Sequence, residues 1–316
     1  MQDDQEYLIS YANFKCKLFK YQNNFLNPKQ LKFFYNNIYY GFPICLPKNI
    51  KYFDYKKAIY FTINKKEFGK KIFGTNNLKY IGIKKFFRYG TTFAYNVKLK
   101  NKYKNKFQYY INKTFNLKKN IKKIKSKNKR ICSMQIRNVP HYGHEAVFNH
   151  ILSKFKYLYL NPIFGIKKKN DFSNLFISKA LNYIKSKIKN IKFDPIWTNF
   201  YYGGPREAIH HLLMRQELGF DYFYVGRDHA GAENLYKQEA AIKIVKKFKH
   251  KFKIKPFISK GGFYCSNCNQ YVIKGTCTHI KLKNISGTEF REWMTKKKLY
   301  KHADNKMQKI LFKIQK

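Results

Sequence analysis

Acidic side chains are scarce in this chain. Against 66 Lys and Arg it sets only 17 Asp and Glu, which gives a formal charge of +49 over 316 residues. A balance that lopsided makes nonspecific contact with polyanions a by-product at low salt, and 19% aromatic residues could stack bases. Yet no Arg-rich stripe, RNA-binding aromatic motif or zinc-finger array accompanies the charge. The excess is Lys spread along the chain among Asn, Ile, Phe and Tyr, the set that A- and T-rich codons encode. Such drift raises charge without choosing a partner, so no specific nucleic acid is expected. Long apolar runs are missing too, which argues against a bilayer-spanning segment and a membrane partner. The start Met1-Gln2-Asp3-Asp4 does not read as a secretory signal. No tandem repeat is found. The six cysteines form no disulfide framework, because Cys16, Cys45 and Cys132 are scattered and the other three cluster at metal spacing. That usage fits a reducing, cytoplasmic setting.

What the chain does have is concentrated in residues 135–145, Gln-Ile-Arg-Asn-Val-Pro-His-Tyr-Gly-His-Glu. Residues 131–135 before it have the length and apolar content of a buried strand. After Gly143 the apolar residues Val147, Phe148, Ile151, Leu152 and Phe155 fall at helical spacing. The segment is therefore a strand-to-helix turn, where free backbone N–H groups and the positive helix end attract phosphate. Gly143 permits close approach of backbone to a ligand. His141 and His144, one turn apart, can donate to phosphate oxygens, and the arginine fork of Arg137, beside Gln135, matches a tetrahedral oxyanion. His-x-Gly-His alone recurs by chance; its neighbours give it weight.

A second cluster, Tyr-Gly-Gly-Pro-Arg-Glu-Ala-Ile-His-His, fills residues 202–211, and a third, Val-Gly-Arg-Asp-His-Ala-Gly, fills 225–231. The second opens a helix with Pro205 in its first turn, Glu207 near the positive end and Gly219 as its stop, and Ile209, Leu212, Leu213 and Met214 as core positions. The third follows the apolar run 222–225 and precedes a helix expected from about 233 to 247. Loops of two such strand-loop-helix units gather at the carboxyl ends of a parallel sheet, where ligands bind.

In this order the three clusters resemble the Gln-x-Arg-Asn-x-x-His-x-Gly-His turn, the Gly-Pro-Arg-Glu-Ala helix and the Gly-Arg-Asp-His-Ala-Gly loop of the ATP sulfurylase (sulfate adenylyltransferase) family. Further landmarks are Leu160-Asn-Pro-Ile-Phe-Gly165, Lys169-Asn170-Asp171, Gly41-Phe-Pro-Ile-Cys-Leu46, Phe73-Gly-Thr-Asn76 and Ile285-Ser-Gly-Thr-Glu-Phe-Arg291. The resemblance implies conversion of ATP and sulfate to adenosine 5'-phosphosulfate and pyrophosphate, in either direction, by direct in-line attack of sulfate on the α-phosphorus. It implies that Gln135, Arg137 and Arg227 hold sulfate with help from the Ala230 N–H. His141 and His144 would contact ATP phosphates at Gly143, Asn138 would shape the turn, and Asp228 and His229 would brace the third loop at Gly226 and the nucleotide. Arg137, Asn138, His141, His144 and Arg227 form the expected catalytic set, with Mg2+ accompanying ATP. A homodimer is also implied. Two departures stand out: Ile136 where the family has Thr, removing a hydroxyl near the anion site, and Gly231-Ala232-Glu233 in place of Gly-x-Gly, adding a negative charge there.

The expected fold is α/β in three parts. Residues 1–125 alternate short aromatic or β-branched runs with Gly, Pro and Asn breaks, suggesting a β-rich domain; the resemblance makes it PUA-like. Residues 101–130, rich in Lys and Asn, read as a basic solvated linker. Residues 126–259 read as a Rossmann-like nucleotidyltransferase catalytic domain, with an outer helix over 172–190 turning Leu175, Ala180, Leu181, Ile184 and Ile188 inward. Residues 260–316 form a small C-terminal segment with a zinc knuckle from Cys265, Cys268, Cys277 and His279, a structural rather than catalytic site. Family members with such a site have His where Lys281 stands, so His279 must substitute. The alternative is a relic of reduced thiols. Ser286-Gly-Thr-Glu289 reads as a capping box opening a helix that contains Phe290, Trp293 and Met294. Capping explains that motif, so Arg291 is left outside the expected site. Competing readings of the whole chain are a decayed, inactive sulfurylase, another adenylyltransferase of the superfamily, and a basic RNA-binding protein.

Overall fold

The computed structural model of the chain describes residues 4–127, 130–165, 171–227, 229–231 and 233–314. Asp228, the Lys169-Asn170 pair and the first three residues lie outside the described residues.

A five-stranded sheet holds the centre, in the order Lys255–Ile258, Tyr222–Val225, Ile131–Ile136, Tyr157–Pro162, Ile191–Phe193, with every ladder parallel. The chain enters in the middle at Ile131–Ile136. It moves outward on one side through the helices Tyr142–Leu152 and Asn174–Lys187. It then returns through the helix Pro205–Leu218 to build the other side. Strand order reverses between Ile131–Ile136 and Tyr222–Val225, and that switch point opens a crevice at the carboxyl ends of the two strands.

Alternation along Ile131–Ile136 separates two cores. Cys132, Met134 and Ile136 join Val147, Phe148, Leu181, Phe290 and Met307 on one face. Ile131 joins Leu8, Ile209, Leu212 and Leu213 on the other, so the N-terminal helix Gln5–Lys15 and the helix Pro205–Leu218 share one interior.

The N-terminal part is not β-rich. Its strands Leu46–Pro47, Phe53–Asp54, Ile59–Thr62, Thr92–Tyr95 and Lys98–Leu99 are two to four residues long and form a three-stranded sheet and a two-stranded ladder, while helices fill most of the rest. The aromatic runs read as strands instead supply a cluster in which Phe68, Phe73, Phe87 and Phe93 are buried together. Nor is 101–130 a linker. Lys104–Lys125 is one 22-residue helix that buries Tyr110, Ile111, Thr114, Leu117 and Ile121 at three- and four-residue intervals, and it packs on Gln5–Lys15. Its Lys and Asn occupy the solvent face, which is why composition concealed it.

Two other helices differ from expectation. Asn174–Lys187 starts at Ser173, whose hydroxyl accepts the Phe176 N–H. It buries Ile177, Ala180, Leu181 and Ile184, while Leu175 is exposed. The helix expected from 233 begins at Ala240, because Glu233, Asn234 and Glu239 all take left-handed backbone conformations that no helix can include. C-terminal to the central sheet, the antiparallel strands Gln270–Ile273, Gly262–Cys265 and Leu282–Asn284 lead to the helices Gly287–Thr295 and Asn305–Ile314. Ser286 caps the first of these by accepting the Glu289 N–H at 3.2 Å. No helix among the described residues is long and apolar enough to cross a membrane.

If Lys104–Lys125 is a packed element, Leu117→Ala should lower unfolding free energy by about 2–4 kcal/mol, whereas Phe115→Ala, at an exposed position of the same helix, should change it by less than about 0.5 kcal/mol. Equilibrium urea unfolding of both variants checks this; equal effects would return the segment to the status of a linker.

Candidate active site

Register sets the site. Cys132 pairs with Tyr222 and Ser133 with Phe223, and counting four residues on from the second rung brings the chain to Arg137 on one strand and Arg227 on its neighbour. Both arginines thus lie just beyond the carboxyl ends of neighbouring strands, beside the switch point.

The first loop is built around strand alternation and a helix start. Gln135 and Arg137 share the face opposite Ile136. The Arg137 guanidinium lies 5.8 Å from the Phe200 ring, and Gln135 Oε1 is buried without a partner. Ile136 turns into the core with 2% exposure, so its replacement of Thr alters packing rather than the crevice. His141 holds an extended backbone at the N-cap of Tyr142–Leu152, and its N–H donates to His144 Nδ1 at 3.3 Å. Because that nitrogen accepts, a neutral His144 carries its proton on Nε2. Burial pushes His141 well below the ordinary imidazole range, aided by His144 and His302, and burial alone takes His144 down to about 4. The pair, with ring centroids 4.0 Å apart and planes tilted by 46°, is therefore uncharged at neutral pH.

Protein already occupies part of the helix end. The Tyr142 N–H donates to the His302 carbonyl at 2.9 Å. A Cβ on Gly143 would meet Ile285 at 2.9 Å and the Gly262 carbonyl at 3.1 Å, so the close approach that Gly143 allows is to the C-terminal sheet. That sheet's following helix also supplies a residue which the capping argument left out. Arg291 donates to Asn138 Oδ1 at 2.9 Å and to Thr288 Oγ1 at 3.0 Å. Its pKa is lowered by burial, raised by Asp171 and lowered again by Arg137, which records two guanidiniums in one neighbourhood. The signal for it was the Arg four residues after Gly287 on the face of Ser-Gly-Thr.

The third loop is clasped from both sides. The Gly204 N–H donates to the Ala230 carbonyl at 3.1 Å and the Glu239 N–H to the Arg227 carbonyl at 2.9 Å, with Ala230 at φ +58°. Gly226 faces the Tyr224 ring. The Arg227 side chain leans on the C-terminal sheet, donating to Asn284 Oδ1 at 3.1 Å and lying 5.0 Å from the Phe263 ring. His229 reaches back to His211, ring nitrogens 3.1 Å apart. Glu233 does not hang free near the loop: its carboxylate accepts the Ile81 N–H at 3.0 Å, tying the loop to the N-terminal part. The second cluster is structural in its contacts. Arg206 is buried and donates to the carbonyls of Phe34 and Gly41, while Glu207 accepts the N–H groups of Tyr201 and Gly203.

Farther out, Cys265, Cys268, Cys277 and His279 bring three Sγ atoms and one imidazole Nδ1 within 4.8 Å of one another. Separations of 3.7 Å between Cys265 and Cys277, 3.5 Å between Cys268 and Cys277, and 3.2, 3.4 and 3.6 Å to His279 match the edges of a tetrahedron. A centre at about 2.3 Å from sulfur and about 2.0 Å from nitrogen has such edges.

Residues 110–302 match the ATP-sulfurylase family model. The chain belongs to the ATP-sulfurylase family. It is 33% identical over 237 residues to the sulfate adenylyltransferase of Pyrococcus abyssi, covering 73% of this chain and 62% of that one. With the sulfate adenylyltransferase of Ignicoccus hospitalis it shares 37% over 169 residues, 52% of this chain and 44% of the relative. The chain thus spans between 44% and 62% of the length of these two curated relatives. Among solved structures, a chain titled hexameric APS kinase from Thiobacillus denitrificans aligns over 70% of this chain and 43% of its own with 12% identity and a TM-score of 0.49, too loose a likeness to argue from.

This ATP-sulfurylase family member should lose stability in mild acid. His141, His144, His210, His211 and His229 all resist protonation when folded, His144 down to about 4 and His210 and His229 to about 3. Unfolded histidine binds its proton near 6.5. Below that pH the unfolded state holds more protons, so stability present above 6.5 falls as pH drops toward the folded values. Glu207, raised to about 7 by burial, acts oppositely but is one group against five. The melting temperature should fall by at least about 5 °C between pH 7.5 and 5.0; calorimetry showing no fall would mean these rings are not buried neutral.

Proposed function

We propose that this chain is a sulfate adenylyltransferase, joining sulfate to the adenylyl group of ATP and releasing pyrophosphate, or running the reverse. The observation that carries this reading is the pair of arginines, Arg137 and Arg227, set just past the carboxyl ends of neighbouring strands, with a neutral His141–His144 pair at the helix start that follows Arg137. Among the described residues no ion pair neutralises either arginine, which suits a site for anions.

A sulfate oxygen forms the new bond to the α-phosphorus, and the bond from that phosphorus to the bridging oxygen breaks, its electron pair leaving with pyrophosphate. No side chain needs to attack. Catalysis is positioning of two anions plus stabilisation of the charge spread over the transferring phosphoryl group. In this reading Arg137, Gln135 and Arg227 hold sulfate with the Ala230 N–H, Gln135 through its amide N–H groups. His144, with its proton on Nε2, and His141 donate to ATP phosphates. Asn138 shapes the turn under Arg291, which adds a second cation beside Arg137. Asp228 and His229 brace the nucleotide end with Gly226. Mg2+ accompanying ATP would be held by phosphate oxygens and water. The donor set Cys265, Cys268, Cys277 and His279 fits structural Zn2+, with no coordination position left for substrate. Thiolate ligands suit a reducing compartment, and we place the protein in the cytoplasm.

The test is formation of ATP from adenosine 5'-phosphosulfate and pyrophosphate by purified protein. Arg137→Ala and Arg227→Ala should each lower the rate at least about a hundredfold, since a cation aimed at bound or developing charge contributes on the order of 3 kcal/mol. Wild-type turnover unaffected by both changes would sink the assignment, and no turnover at all would identify a decayed relative. Elemental analysis should find one zinc per chain. Cys268→Ser and His279→Ala should release it and loosen the 262–284 strands, and zinc-free wild-type protein purified under reducing conditions would end that part of the proposal.

A further inference from the structure

The helix Pro205–Leu218 is buried on nearly every side, yet it carries Arg206, Glu207, His210, His211 and Arg215 into the interior. Apolar packing needs none of them. Arg206 reaches carbonyls of the N-terminal part, and Arg215 lies 5.0 Å from the Phe223 ring with one donor on the His211 carbonyl. Glu207 and His211 do something different: they connect to the third loop.

Glu207 is 1% exposed. One of its oxygens accepts the Tyr201 N–H and the other the Gly203 N–H, each at 2.9 Å. Its Oε1 also lies 3.4 Å from His211 Nε2, a charge–dipole contact outside hydrogen-bond geometry, and that buried nitrogen makes no hydrogen bond. On the far side of the same ring, His211 Nδ1 is 3.1 Å from His229 Nε2. Both imidazoles are neutral, because burial drives His211 well below its usual range and His229 to about 3. Burial also lifts Glu207 to about 7, while the two N–H groups, Lys85 and Arg137 hold it down, so it is a carboxylate above that pH.

A neutral imidazole has one N–H and one bare nitrogen. An ionised carboxylate can only accept, so the His211 proton belongs on Nε2, facing Glu207. His211 Nδ1 is then bare and must accept. His229 therefore donates from Nε2, and its Nδ1 is left as a lone pair.

We propose that Glu207 and His211 are positioning residues that lock His229 in its Nε2–H tautomer, so that the third loop offers the nucleotide a hydrogen-bond acceptor at His229 Nδ1. An acceptor nitrogen repels phosphate oxygens and takes a donor group, which in a nucleotide means a ribose hydroxyl or the adenine amino group. The relay rests on the reading of the third loop as a nucleotide contact and deepens it. It assigns His229 to the nucleoside rather than to the anions, and divides the histidine roles between His141 and His144 on the phosphates and His229 on the sugar or base. Glu207 also holds the 201–204 turn, whose Gly204 N–H donates to the Ala230 carbonyl, so one carboxylate sets both the tautomer and the spacing of the two loops.

Long-range proton–nitrogen spectra of 15N-labelled wild-type protein at pH 8.5, assigned with a His229→Gln variant, should show His229 protonated at Nε2. Glu207→Gln keeps the shape and one acceptor but loses the obligate acceptor, and should populate both tautomers of His229. It should also raise the KM for ATP about tenfold. If that variant does not fold, His211→Asn breaks the same link and is read in the same spectra. A wild-type His229 protonated at Nδ1, or a single unchanged tautomer in the folded variant, overturns the relay. Wild-type protein without sulfate-dependent turnover would instead count against the proposed function, and the tautomer spectra would still decide the relay, with ATP affinity then read by calorimetric titration.

Discussion

Two rungs of one parallel ladder, Cys132 with Tyr222 and Ser133 with Phe223, govern where the chemistry of this protein ends up. A one-residue slip would exchange the faces of every side chain on the strand, sending Gln135 and Arg137 into the core and Ile136 into the crevice. The register is held by the cores on both faces, which need Cys132, Met134 and Ile136 on one side and Ile131 on the other. Hydrophobic burial, a nondirectional force, thereby sets which face of the strand Gln135 and Arg137 occupy.

Scarcity of acid shapes the rest. In a chain so rich in Lys, the carboxylates found in ion pairs serve as struts: Glu6 with Lys85 and Arg88, Glu145 and Asp304 with Lys187, Asp221 with Lys125. Exposed pairs of this kind contribute little. The partly buried ones at Glu6 and Lys187 matter more, because removing one partner strands a charge away from water. What they leave behind is Arg137 and Arg227 outside every described ion pair, while Arg291 feels Asp171. Glu207 beneath them is committed to backbone N–H groups.

The C-terminal part contributes to the site as well as to its own fold. It supplies the carbonyl that takes the Tyr142 N–H, the backbone of Gly262 against Gly143, Asn284 for Arg227 and Arg291 for Asn138. A segment of three short strands buries little apolar surface for its length, and a metal held by the four convergent Cys and His donors would make its order conditional on that metal. The link from knuckle to crevice then runs through packing rather than coordination.

The sequence by itself determined the local units that rest on short-range chemistry: the strand and helix around 135–145, the Pro205 start and Gly219 stop, the Ser286 cap, the metal-spaced cysteines and the motifs that carry the family resemblance. Those signals survive because turn, cap and periodicity are decided within a few residues. Tertiary structure decided the rest. Lys104–Lys125 is a packed helix because a partner helix covers its apolar stripe, which composition could not reveal. The 233–239 stretch is a loop because Glu233, Ala230 and Arg227 are tied to distant backbone. Aromatics of the 1–125 part form a buried cluster rather than the face of a β-rich domain. Arg291 enters the site only because its helix is folded over Asn138, 153 residues away in sequence. Ile136 and Gly143 point into protein because strand parity and the neighbouring sheet leave them nowhere else. In each case the deciding contact joins residues that no local window contains, and its free energy appears only once the chain has closed those loops.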